Sequence, residues 1–209
     1  MTHQLTNVVR SLRELTPARP LSDFEARSVT ERQAMKLLEL FAIAEAPVDV
    51  ALIAELPRIA VTVRSSRDMG GLSGLSEWHK GNWQITVNRD DSPTRRRFTL
   101  AHEFKHVLDN PFIRVLYTDR YGRTDQQRVE DICDYFAACL LMPRPWVKHA
   151  WTQLSQDQAK LAAYFRVSPA AMARRLTDLR LSEPRPRHHI PDSITRYFRE
   201  APASARLAA

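Results

Sequence analysis

The chain has 209 residues, 44% of them hydrophobic and 26% charged, which suffices for one domain with a real core plus short appendages. No apolar run approaches the roughly 20 residues that span a bilayer, and the N-terminus carries no apolar signal core, so membrane partners are excluded and the expected compartment is the cytoplasm. The net charge of +7 points to an acidic partner such as nucleic acid, but the arginines are scattered and only Arg95-Arg96-Arg97 are clustered.

Residues 1–29 mix charges with few apolar positions, and Pro17 and Pro20 interrupt any helix there, which predicts a mobile N-terminal arm. Thr30-Glu31-Arg32-Gln33 has the form of a capping box, and Ala34, Leu37, Leu38 and Phe41 follow at helical spacing. A short helix is predicted over 48–56, then a β-branched strand over 59–63. After Gly70-Gly71 a hairpin is expected, with arms 72–78 and 83–88 around a turn at His79–Asn82. In its second arm Trp83, Ile85 and Val87 alternate with polar residues, which implies one buried and one solvated face. These arms either offer an edge for an extended substrate or serve only as core sheet.

Ser92-Pro93 reads as a helix start, and Asn110-Pro111 as its stop. Residues 111–123 read as an irregular connection, followed by a helix from the box at Thr124–Gln127 to about Leu141, closed by Pro143 and Pro145. Cys133 and Cys139 lie on that helix, separated by a rise of about 9 Å, too far for a disulfide, and are expected to be reduced, buried and inert. Ser155–Gln158 and Ser168-Pro169 open two short helices that together resemble a helix-turn-helix, with Arg166 at the turn position usually held by glycine. Arg174 and Arg175 on the second helix are candidate DNA contacts, which supports a rival reading as a DNA-binding regulator. The segment 182–209, rich in proline and arginine, is predicted to be a basic, largely disordered tail in which only 194–198 has docking character.

The chemistry concentrates in His102-Glu103-Phe104-Lys105-His106. Residues four apart share a helix face, so both imidazoles can bind one tetrahedral metal ion while Glu103, one step round, reaches a water on it as general base. In a chain of this length the pattern arises by chance on the order of once in a few hundred sequences. Phe98, Ala101, Phe104, Val107 and Leu108 form an apolar stripe that seats the helix on a core. The third-histidine continuation is absent, since Asp109 and Phe112 stand at its glycine and histidine positions. His3, His188 and His189 lie in tail-like segments, His79 in the hairpin turn and His149 beyond the proline break. Glu130, which falls 24 residues after His106, is the better third ligand, and Asp134, at i,i+4 from it, can hydrogen-bond a ligating histidine. Tyr117, Tyr121 and His149 remain open as donors to the oxyanion.

Asn88-Arg89-Asp90-Asp91-Ser92, RRFTLAHEFKHVL and VEDICDYFAACLLMP together resemble the ImmA/IrrE family of bacterial metallopeptidases over about residues 30–181. The resemblance implies an α+β, zincin-like fold of gluzincin type: a small antiparallel sheet packed on a metal-binding helix pair over 30–151, with a helix-turn-helix-like part over 152–181. It implies His102, His106 and Glu130 as ligands of one zinc ion (manganese being an alternative), Glu103 as the catalytic acid/base and Asp134 as the histidine's partner. The implied activity is peptide-bond hydrolysis in an intracellular protein, with a helix-turn-helix repressor of a mobile element or stress response as the substrate.

Overall fold

The structure, a computed structural model, describes residues 7–118 and 121–182. Apart from Ser182, the predicted tail with His188, His189 and the 194–198 segment lies outside the described residues, as does His3.

Three strands form one sheet: β1 (Ile59–Arg64), β2 (Gly74–His79) and β3 (Asn82–Asn88), in the order β1-β3-β2. The β2–β3 hairpin forms as read, with Lys80 and Gly81 both at positive φ, the turn that matches strand twist. β1, however, pairs parallel with β3, so the sheet is mixed and not the antiparallel one expected. The second face of β3 is more exposed, with Gln84 only partly buried, but it is not uniformly solvated. Thr86 is buried and shares a 3.0 Å hydroxyl contact with Thr62 on β1.

Of the longest helices, one packs directly on this sheet and the others pack behind it. α1 is Val8–Arg13 and α2 is Asp23–Leu40. The short helix predicted over 48–56 is a 3-10 helix over Val50–Glu55. α3 (Pro93–Asp109) carries the histidines, and α4 (Ile113–Leu116) is a single turn. α5 is Gln126–Leu141, α6 Arg144–Gln153, α7 Gln158–Phe165 and α8 Pro169–Asp178. α3 packs on β2, β3 and α5, and α5 packs in turn on α2. The core runs from Ile85 and Val87 through Phe104 and Phe136 to Val147, Phe165 and Met172, so the helix-turn-helix-like pair shares it with the sheet.

Helix boundaries explain where the sequence reading missed. α2 begins seven residues before Thr30, at a capping box in which Ser22 Oγ accepts from the Glu25 N–H and Glu25 accepts from the Ser22 N–H. Thr30 and Gln33 fit the same pattern but sit fully buried in mid-helix, where Gln33 donates to Leu12 O and Thr16 Oγ1. Far from forming a mobile arm, residues 7–29 are anchored to the core by Val8, Leu12, Leu21, Ala26 and Val29. Arg13 donates to the carbonyls of Val107 and Leu108, tying this segment to the end of α3. Pro143 and Pro145 start α6 instead of only ending α5, since proline in a first helical turn loses no hydrogen bond.

Candidate metal centre

α3 starts as predicted, with Ser92 Oγ capping the Arg95 N–H and Pro93 in the first turn. Its buried stripe of Ala101, Phe104, Val107 and Leu108 turns His102 and His106 toward a cleft, each about a fifth exposed or less. α5 starts at Asp125, whose carboxylate caps the Arg128 N–H. Val129, Ile132, Cys133 and Phe136 seat it against α2 and α3, leaving Glu130 half-exposed toward the histidines.

The donor atoms converge. The Nε2 atoms of His102 and His106 are 3.1 Å apart. Glu130 Oε2 lies 3.2 Å from the first and its Oε1 3.5 Å from the second. Tetrahedral zinc with bonds of about 2.0–2.1 Å spaces its ligand atoms by roughly 3.3 Å, so the three separations suit one ion. On the far side of His102, Nδ1 and Asp134 Oδ1 are 3.0 Å apart. A proton held on Nδ1 by that carboxylate leaves the Nε2 lone pair facing the cluster.

Glu103 is buried against β2. A Cβ built on Gly74 would stand 2.7 Å from Glu103 Oε1 and 2.4 Å from Thr99 Cγ2, so only glycine lets the strand lie this close. Asn88 fixes the approach, its Nδ2 donating to Leu72 O and its backbone N–H to Ser73 O. Two clefts flank the histidines. One of about 640 Å³ runs between Gly71–Gly74, Arg95, Phe98 and the α7–α8 turn at Val167 and Ser168. The other, of about 350 Å³, lies between Leu75, Ser76, Trp83, Asn110, Ile113 and Glu130.

A sequence profile described as the IrrE N-terminal-like domain matches residues 58–177, more than half of the chain. The chain belongs to the ImmA/IrrE metallopeptidase family. It is similar to the radiation response metalloprotease IrrE of Deinococcus deserti, 34% identical over 85 residues (39% of this chain, 30% of that one). The protein of the same name from Deinococcus radiodurans is 30% identical over 100 residues, 45% of this chain and 30% of that one. The chain thus spans about three tenths of the length of these curated relatives. Among solved structures it is similar in fold to a Mycobacterium tuberculosis transcriptional regulator, with a TM-score of 0.55 at 18% identity, covering 81% of this chain and 52% of that chain.

Within this ImmA/IrrE site, burial works to lower the basicity of both rings, with opposite outcomes. At His102 the Asp134 hydrogen bond and the carboxylates of Glu103, Asp134 and Glu130 outweigh burial, and the ring is raised above its ordinary value. At His106 burial and the neighbouring His102 prevail, and the ring is held below it. Cys133, expected to be inert, also joins the cluster: its Sγ lies within 4.8 Å of a nitrogen of each histidine. Burial pushes its thiol well up, so at neutral pH it stays protonated unless an ion takes the proton's place. Glu130 is half-exposed at the cleft, with its carboxylate beside both histidines.

The reading of Arg174 and Arg175 as DNA contacts needs correcting. Arg175 is not a surface contact for DNA. It is fully buried, donating from Nε to Met142 O and stacking 5.6 Å from the Tyr135 ring. Arg174 is half-exposed but binds Asp134, its Nη1 3.1 Å from Oδ2. Two arginines of the Arg95–Arg97 cluster are also engaged: Arg97 donates to Val48 O and Arg166 O, and Arg95 to Ser73 Oγ. Of the candidate oxyanion donors, Tyr117 is buried with its hydroxyl donating to Asp109, and none of Tyr117, Tyr121 and His149 lines either flanking cleft. Among the described residues no helix is long and apolar enough to cross a membrane.

Proposed function

We propose that this chain is a zinc-dependent endopeptidase that cleaves a DNA-binding repressor in the cell. The observation that carries the reading is the convergence of His102 Nε2, His106 Nε2 and the two carboxylate oxygens of Glu130, one facing each histidine, at separations of 3.1–3.5 Å, beside a buried glutamate. Those three residues would hold the ion, and the same donor set also accepts manganese. When bound there, zinc supplies Lewis acidity toward a water and toward the scissile carbonyl.

The chain's own residues do the rest. Asp134 holds the proton of His102 on Nδ1 and fixes the ring plane. Glu103 takes a proton from the attacking water at a carboxylate oxygen and passes it to the departing amine nitrogen. Its burial against Gly74 and Thr99 keeps it in one orientation and limits competing water. β2 is an edge strand whose residues line both clefts, so an extended substrate segment can pair with it and pass over Glu103.

The relatives' name, radiation response metalloprotease, supports a peptidase acting in a stress response. The repressor as substrate rests on the family resemblance. The rival reading, a DNA-binding regulator using 155–180, is weakened by the burial of Arg175 and the engagement of Arg174. The test is incubation of the zinc-loaded chain with a helix-turn-helix repressor encoded beside its gene. Cleavage is expected, and Glu103→Gln should keep zinc and lose it; cleavage by that variant would overturn the mechanism.

A further inference from the structure

Asp134 has two carboxylate oxygens and a different partner on each. Oδ1 meets His102 Nδ1 at 3.0 Å, and Oδ2 meets Arg174 Nη1 at 3.1 Å. A chain of contacts therefore runs from the helix-turn-helix-like pair to the histidine at the cleft. We propose that Arg174 is a positioning residue for the metal centre, acting on His102 through Asp134, and that α7–α8 braces the site.

α8 is built to present that guanidinium from a fixed place. Arg175, the next residue, is locked beneath Met142 O, while Met172 and Leu176 are buried in the core. Asp178, one turn beyond, pairs with Arg27. At the other end, Arg97 of α3 donates to Arg166 O in the α7–α8 turn, and Ser168 caps α8 through the Ala171 N–H. The helix that bears Arg174 is thus tied to the helix that bears His102.

The charge arrangement gives Arg174 a task. With Oδ1 accepting from Nδ1–H, Asp134 leaves Nε2 of His102 free to bind. Arg174 occupies the second oxygen, so the carboxylate cannot rotate away without breaking a charged hydrogen bond. Arg174 is half-exposed, so its effect should sit at the low end of that seen for partners of ligating histidines.

This inference rests on the reading of His102 as a ligand. The test is Co²⁺ titration of the full chain, followed by its visible d–d absorption with a competing chelator. Arg174→Ala should weaken Co²⁺ binding by about tenfold and shift the band, Arg174→Gln should do likewise, and Arg174→Lys should restore most of the affinity. In an Asp134→Asn background Arg174→Ala should change nothing further. A folded Arg174→Ala chain with wild-type affinity and spectrum would overturn the proposal, as would an equal loss in the Asp134→Asn background. So would loss of DNA gel-shift with Co²⁺ binding intact. Failure of the wild-type chain to take up Co²⁺ would instead overturn the metal-site reading itself.

Discussion

Gly74 on the edge strand lies so close to Glu103 that a methyl group in place of its hydrogen would stand 2.7 Å from Oε1 and 2.9 Å from Cγ. A strand residue without a side chain thereby sets the position of the proposed proton carrier. Gly74→Ala must push the strand or the glutamate aside, while the histidines and Glu130, which Gly74 does not crowd, stay in place. Zinc content should remain unchanged while turnover falls by on the order of 100-fold, as expected when a reacting group is displaced by about 1 Å. Single-turnover cleavage together with metal analysis measures both, and wild-type turnover in this variant would show that the contact has no catalytic consequence.

Zinc should also stabilise the fold, because its donors come from two helices that must be packed to bring them together. At a zinc concentration 100 times Kd the linkage amounts to about 2.7 kcal/mol. At roughly 2–4 °C per kcal/mol for a domain of this size, chelation should lower the melting temperature by about 5–10 °C. His102→Ala and Glu130→Ala should melt like the chelated wild type and no longer respond to chelator. Calorimetry decides it.

Lys105, inside the histidine motif, points away from the cleft into a closed polar network. Its Nζ is 2.7 Å from both Asp109 Oδ1 and Gln33 Oε1, Lys105 and Asp109 are each 1% exposed, and Tyr117 donates to Asp109 Oδ2. Removing one member strands the other charge. Lys105→Met should cost about 3–5 kcal/mol of stability. Lys105→Met with Asp109→Leu should lose markedly less than the sum of the single changes. Urea unfolding of the four chains gives the coupling, and simple additivity would contradict a shared network.

Glu31 provides a pH signature. Burial alone would raise its carboxyl, but the Arg144 hydrogen bonds at 2.8 and 3.1 Å and the buried Arg175 prevail, and it is held below the ordinary range. A group more acidic in the folded chain than in the unfolded chain contributes stability above its unfolded value of about 4.3. That contribution disappears as pH falls through the lower folded value. Glu31→Gln should therefore be less stable than wild type by a constant amount at pH 6–7, with the gap closing below about pH 4. A gap independent of pH would remove Glu31 from the account.

The histidine motif was legible because helical periodicity is local: residues four apart share a face wherever the helix ends up. Glu130 and Asp134 were legible for the same reason, since the buried stripe of their helix fixes the face they occupy. Helix starts were harder. Ser22 and Thr30 both open an acceptable box, and only the burial of Thr30 and the packing of Gln33 against α1 and Lys105 decide between them. Pro143 likewise can end one helix or begin the next, and here it does both.

By itself, the sequence determined the elements and the chemistry each can carry: a helix with two imidazoles and a carboxylate, and a second helix with two more acids. Only the tertiary structure decided which distant groups meet. The parallel pairing of β1 with β3, the seat of Gly74 against Glu103 and the contact of Arg174 with Asp134 join residues from 24 to 40 positions apart. No spacing rule operates over such distances, because the intervening chain can close in many ways and only the burial of a common core selects one.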